Sequence, residues 1–164
     1  MNSGMDNSTP GPARATERPV TAARLRNLGS RLLSLAAIQS DRLVNEELAR
    51  AGARKWHYAA LATLDEFGPA SQAELSRRTG IYRSDMVTVI NELADRGLVE
   101  RSPNPADRRR NTITVTQQGH RQLLKLDRLL IEAENEVLAP LTPPEREELT
   151  RLLAALVDHH GQSM

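Results

Sequence analysis

The chain has 164 residues, 39% of them hydrophobic and only 2% aromatic, so one ordinary-sized domain must build its core from Leu, Ala, Val and Ile, a helical palette. A formal net charge of +1 gives no global pull toward nucleic acid, and any such attraction must come from local clustering. The absence of cysteine excludes disulfides, thiolate metal sites and thiol-based oxidation sensing, and no apolar run approaches the ~20 residues needed to span a membrane.

The polar start Met1-Asn2-Ser3-Gly4 leads into no apolar signal segment, so the expected localisation is cytoplasmic. Residues 1–19 are rich in Ser, Thr, Pro, Gly and Asn without an apolar period and read as a disordered tail. In the segment 20–53, Leu25, Leu28, Leu32, Leu35 and Ala36 recur at helical spacing, which predicts one long helix from about Thr21 to Arg50 with Gly52 as its stop. Lys55 to Phe67 follows as a second helix, with Trp56, Ala60, Leu61 and Leu64 apolar and Gly68-Pro69 at its end.

Ser71-Gln72-Ala73-Glu74 is a capping box, in which the Ser71 hydroxyl accepts the Glu74 amide and Glu74 reaches back, and Thr79-Gly80 supplies a left-handed stop. A further helix from about Tyr82 to Gly97 places Met86, Ile90, Leu93 and Ala94 on one face and Ser84, Thr88, Asn91 and Asp95 on the other. Leu98 to Arg101 and Thr112 to Val115 then alternate at period two around the loop Pro103 to Asn111, which holds Asp107, Arg108, Arg109 and Arg110. Two short helices, a strand, an arginine-loaded loop and a second strand make a winged helix-turn-helix, spanning 54–116.

In the last segment, 117–164, Thr116 caps a helix toward Ala139 with Leu123, Leu126, Leu130, Ala133 and Val137 inward, and Pro140 stops it. Thr142-Pro143-Pro144-Glu145 opens a final helix that buries Leu149, Leu152, Leu153 and Leu156. The fold expected is mostly α with a small two-stranded β-wing, the winged unit flanked by N- and C-terminal dimerisation helices. Leucine stripes at both ends of the chain are too long for one small winged domain to cover, so the economical arrangement is a homodimer.

These residues resemble the MarR (multiple antibiotic resistance regulator) family. The resemblance rests on Leu75 in the first short helix, Gly80-Ile81 in the turn, Leu93, the run Arg96-Gly97-Leu98-Val99-Glu100-Arg101, and Asp107-x-Arg109 with Thr116 after the wing. One position departs: the family usually has a small capping residue where this chain has Tyr82, so Ser84, Asp85 or water must serve that helix end. The resemblance implies a transcriptional regulator, a repressor by expectation, that dimerises through its terminal helices and binds double-stranded DNA at a near-palindrome. It also implies a small-molecule effector, often phenolic, bound between the dimerisation helices and the winged lobe. Some relatives sense zinc.

For DNA recognition, the start and outer face of the second short helix offer Tyr82, Arg83, Ser84, Asp85, Val87 and Thr88 to base edges. Arg83 suits guanine, Asp85 suits cytosine or else the helix dipole, and Val87 or Thr88 suits a thymine methyl. Ser71 and Gln72 are placed for phosphate. By resemblance Arg109 enters the minor groove, with Asp107 holding its guanidinium, while Arg108 and Arg110 serve phosphates. Trp56, His57 and Tyr58 would lie near an effector cleft, although a tryptophan at helical spacing is commonly core.

Catalysis has little to stand on. The four histidines fall at scattered positions, and neither a His-x-x-x-His spacing, a Gly-rich phosphate loop nor a Gly-x-Ser-x-Gly occurs. No catalytic residue, cofactor or metal ligand is assigned. The alternative to a DNA-binding regulator is a winged-helix adaptor that binds only protein, against which the arginine wing argues.

Overall fold

A computed structural model describes residues 22–103 and 111–161. Contacts divide the chain after Leu35 into two units. In the first, the expected single long helix is two pieces: α1 (Ala23–Arg26) ends at Asn27, and α2 begins at Gly29 and runs to Ala49, within the second unit. Leu25, Leu28, Leu32, Leu33 and Leu35 are all exposed.

The second unit continues with α3 (Lys55–Phe67), α4 (Gln72–Thr79), α5 (Arg83–Asp95), β1 (Val99–Pro103), β2 (Asn111–Val115), α6 (Gln117–Val137) and α7 (Pro143–Gly161). Its core is one cluster of Leu48, Leu61, Leu64, Leu75, Met86, Ile90, Leu93, Ile113 and Leu126, almost entirely aliphatic as the composition requires. Leu61 and Leu64 of α3 lie one turn apart, as do Met86, Ile90 and Leu93 of α5, so both helices present an apolar stripe to the same interior. The turn between α4 and α5 depends on Gly80, whose φ of +72° is left-handed, and whose amide donates to the Ser76 carbonyl at 3.0 Å.

β1 and β2 pair antiparallel from Val99↔Val115 to Pro103↔Asn111, so the two ends of the expected loop belong to the strands. Ala70 adds a bridge to Ile113, with amide-to-carbonyl distances of 3.1 and 2.8 Å. This ties the segment before α4 to the wing. The Thr116 hydroxyl accepts the Gly119 amide at 3.0 Å and donates to the Gly97 carbonyl at 2.7 Å, joining the start of α6 to the end of the recognition unit. Gly119 makes that junction possible, because a Cβ there would lie 2.0 Å from the Leu98 carbonyl oxygen and 2.7 Å from Val115 Cγ2.

The C-terminal helices differ from expectation in what they bury. In α6, Leu123, Leu126 and Ala133 are buried while Leu130 and Val137 are half-buried. In α7 no residue is buried: Leu149 and Leu153 are half-covered, but Leu152 and Leu156 stand out with Val157, which is 69% exposed. The stripe is there, but among the described residues nothing covers it fully. Among the described residues no helix is long and apolar enough to cross a membrane.

Candidate nucleic-acid interface

At 3.6 residues per turn, α5 puts one row of side chains into the core and another into solvent. Met86, Val89, Ile90 and Leu93 face inward; Arg83, Ser84, Val87, Thr88 and Asn91 lie together on the exposed side. Tyr82 is the N-cap, 79% exposed, and no side chain caps the first amides, so neither Ser84 nor Asp85 fills the role expected of them. Asp85 is half-buried and turned away from Arg83, lining a hollow with Lys55 and Trp56. Of the six residues expected to meet bases, the structure therefore keeps Arg83, Ser84, Val87 and Thr88 on one exposed face, places Tyr82 at its edge and sends Asp85 to the flank.

Beside this face the start of α4 carries the capping box. Glu74 Oε2 accepts from both the Ser71 amide and hydroxyl at 2.8 Å, and the Ser71 hydroxyl accepts the Glu74 amide at 3.3 Å. These bonds, backbone first, hold the Glu74 carboxyl below the usual carboxylate range. The Ser71 hydroxyl proton is thereby committed to Glu74, which leaves Gln72 as the free side-chain donor at that helix start. Ser71 and Gln72 border a polar concavity of about 570 Å³ shared with Arg83, Arg101 and Asn111.

Arg101 reaches that concavity from β1, and its Nη2 donates to Asn91 Oδ1 on α5 at 2.6 Å. Arg101 counts toward the basic surplus visible in the sequence, but the Asn91 contact joins residues on different elements and has no local signature. Asn91 could have been found from its spacing alone, since it continues the row of Arg83, Val87 and Thr88. The wing residues Asp107, Arg108, Arg109 and Arg110 lie outside the described residues.

Trp56, His57 and Tyr58 do not share a cleft. Successive helical residues point about 100° apart, and these three face three directions. Trp56, 37% exposed, borders the hollow with Asp85 and Tyr82. His57 is buried, its Nδ1 accepting the Arg54 amide at 3.1 Å and its Nε2 facing Glu92 Oε2 at 2.6 Å. Because Nδ1 accepts from an amide, the proton of the neutral ring sits on Nε2 and is donated to Glu92. Desolvation lowers the His57 pKa despite the Glu92 carboxylate, which pulls the other way; Arg54, also paired to Glu92, and Arg96 add to the lowering. The same contacts, His57 first, hold the Glu92 carboxyl low.

Tyr58 faces a different space, a groove of about 670 Å³ between α2, α3, α6 and α7. Its hydroxyl donates to Asp127 Oδ1 at 3.0 Å, and Leu130, Leu149 and Leu153 give the groove apolar walls with Glu134 beside them. Among the described residues no group of three or more His, Asp or Glu stands close enough to hold a metal ion.

Residues 52–110 match the model of the MarR family. The chain is similar to a probable transcriptional regulator from Pseudomonas aeruginosa, with 32% identity over 81% of this chain and 99% of that one at a TM-score of 0.73. It shares its fold with CouR, a transcriptional repressor solved on a 23-mer DNA duplex, at 23% identity, 85% and 99% coverage and a TM-score of 0.78. It likewise shares its fold with Bordetella bronchiseptica BpsR, whose DNA binding is regulated by 6-hydroxynicotinic acid, at 23% identity, 80% and 94% coverage and a TM-score of 0.73.

Proposed function

The chain belongs to the MarR family, and from that premise we propose that it is a DNA-binding transcriptional regulator, a repressor, that holds a near-palindromic operator as a homodimer and responds to a small-molecule effector. The observation that carries this reading is the exposed row Arg83, Ser84, Val87, Thr88 and Asn91 on α5, flanked by Arg101 from β1 and by Gln72 at the start of α4. Four hydrogen-bonding side chains and one methyl-bearing side chain on one helix face match what the major groove presents, and the flanking groups match the phosphates on its walls. Of the wing, Arg109 would enter the minor groove with Asp107 holding it, and Arg108 and Arg110 would meet phosphates. An adaptor that binds only protein would have no use for this polar row. The same reading makes the chain a regulator rather than an enzyme and puts its work in the cytoplasm, where DNA is.

The dimer covers the leucine stripes. In the first unit Leu25, Leu28 and Leu32 are exposed, and in the second so are Ile131, Leu152, Leu156 and Val157; a second copy is the partner that would bury both sets. Two-fold symmetry then sets two α5 helices about 34 Å apart, one helical turn of DNA. The effector is placed at the Tyr58–Asp127 groove rather than at Trp56 and His57. Its apolar walls suit an aromatic ring, and its carboxylates suit a phenolic hydroxyl, which donates, over a carboxylate-bearing compound.

In vitro selection of duplexes by the purified protein tests the reading. The expected product is a pseudo-palindrome with half-sites about 10 base pairs apart centre to centre. Recovery of unenriched sequences would overturn it.

A further inference from the structure

The contact between Asn91 and Arg101 limits what Asn91 can say to a base. An asparagine free at both ends of its amide reads adenine, its oxygen accepting from N6 and its nitrogen donating to N7. A guanidinium has donors only, so the group facing Arg101 Nη2 at 2.6 Å must be the amide oxygen. The amide nitrogen is then the end turned to solvent, and among the described residues nothing else bonds to it.

Resting on the DNA-binding reading above, we propose that Arg101 is a positioning residue that converts Asn91 into a donor-only reader, so that the operator carries guanine rather than adenine at the base opposite Asn91. Guanine presents two adjacent acceptors, O6 and N7, to an amide nitrogen that carries two hydrogens. Adenine presents N7 beside an N6 donor that would face another donor. Cytosine offers N4–H₂, a donor, and is the worst partner. Asn91 lies eight residues beyond Arg83, about 12 Å along the helix, so its base is about three to four base pairs from the one Arg83 reads.

The pair also explains why this position is not simply another phosphate contact. Arg101 sits on a strand and its reach is fixed by the Arg101↔Ile113 register, which in turn is fixed by the bridge from Ile113 to Ala70. The strand therefore fixes where the Arg101 side chain starts, and the Asn91 oxygen accepts from its far end. While that bond is made, the Asn91 amide keeps its oxygen toward Arg101 and its nitrogen away from it.

The test takes the operator selected with the wild-type protein and measures affinity for all four bases at each half-site position, for the wild type and three variants. The wild type should prefer guanine over adenine by about tenfold at one symmetric position. Arg101→Met removes the donor and frees the oxygen, so the preference at that position should move to adenine while the other positions keep theirs. Arg101→Lys keeps a donor beside the oxygen and should retain guanine. Asn91→Asp offers acceptors only and should move the preference to cytosine. All three substitutions are at exposed positions, and altered circular dichroism identifies any that fail to fold; the wild-type preference for guanine and its change in Arg101→Met decide the matter, and Asn91→Asp identifies which base Asn91 faces. Base preference that is identical in wild type and variants, with only a uniform drop in affinity, would overturn the proposal and leave the regulator reading intact. Failure of the wild type to select any sequence would instead strike the regulator reading itself.

Discussion

His57 is the residue whose chemistry and place in the fold are most tightly bound together. It caps the amide of Arg54 at the start of α3 and reaches Glu92 on α5, with Arg96 near enough to add to the positive field, so it joins a helix of the scaffold to the helix proposed to meet DNA. Burial holds its pKa below the ordinary 6.5, so the folded state keeps the ring neutral where the unfolded chain takes up a proton. The unfolded state then binds more protons below about pH 6.5, and stability must fall as pH drops through that window, by at most about 1.4 kcal/mol per pH unit for one group. His57→Gln places an acceptor and a donor in similar positions without a titrating proton. Denaturant unfolding between pH 7 and 5 should give a shallower fall for this variant than for the wild type; parallel curves would mean that His57 is not the titrating group. In the sequence His57 is only a histidine next to a tryptophan, and its partner thirty-five residues away has no local mark. Trp56 and His57, adjacent in sequence, face different spaces, because adjacency along a helix separates side chains by about 100°.

At the scale of elements, caps and stops were readable because each is a local pattern. Ser71 with Glu74, the glycine at 80 and the Thr116 cap all act within a few residues, and all three are where the residue types put them. The extent of α3 follows equally from short-range periodicity, whereas the strands run on into the expected loop, to Pro103 and from Asn111. The start of the first helix did not, since a leucine repeat continues through Asn27 and Leu28 while the backbone does not. Packing between elements was invisible too, and Gly119 is the clearest instance. Nothing nearby in sequence announces that α6 must press its backbone against the Leu98 carbonyl, yet a methyl there would stand 2.0 Å from that oxygen. Gly119→Ala should cost about 3 kcal/mol, because backbone rather than a flexible side chain must move. Urea unfolding checks this, and a loss under about 0.5 kcal/mol would show that the α6 start shifts freely away from the wing.

For the whole molecule, the apolar stripes and the polar row divide the labour. Leu152, Leu156 and Val157 gain nothing from solvent, and burying them against a second copy would fix the spacing of two α5 faces, which is what turns short-range base contacts into recognition of a long site. That the stripes await a partner could be read from the sequence as too much leucine for one winged domain; that α7 leaves no residue of its stripe buried could not, because periodicity tells which face is apolar and not what covers it. The claim on which the account depends is that this surface reads DNA sequence. The most direct measurement is fluorescence anisotropy of the wild-type protein on its selected operator and on a scrambled duplex of equal length, between about 50 and 200 mM salt. The account predicts at least about a thousandfold preference for the operator, with both affinities falling steeply as salt rises because several phosphates are neutralised. Equal affinity for the two duplexes, or binding indifferent to salt, would contradict it.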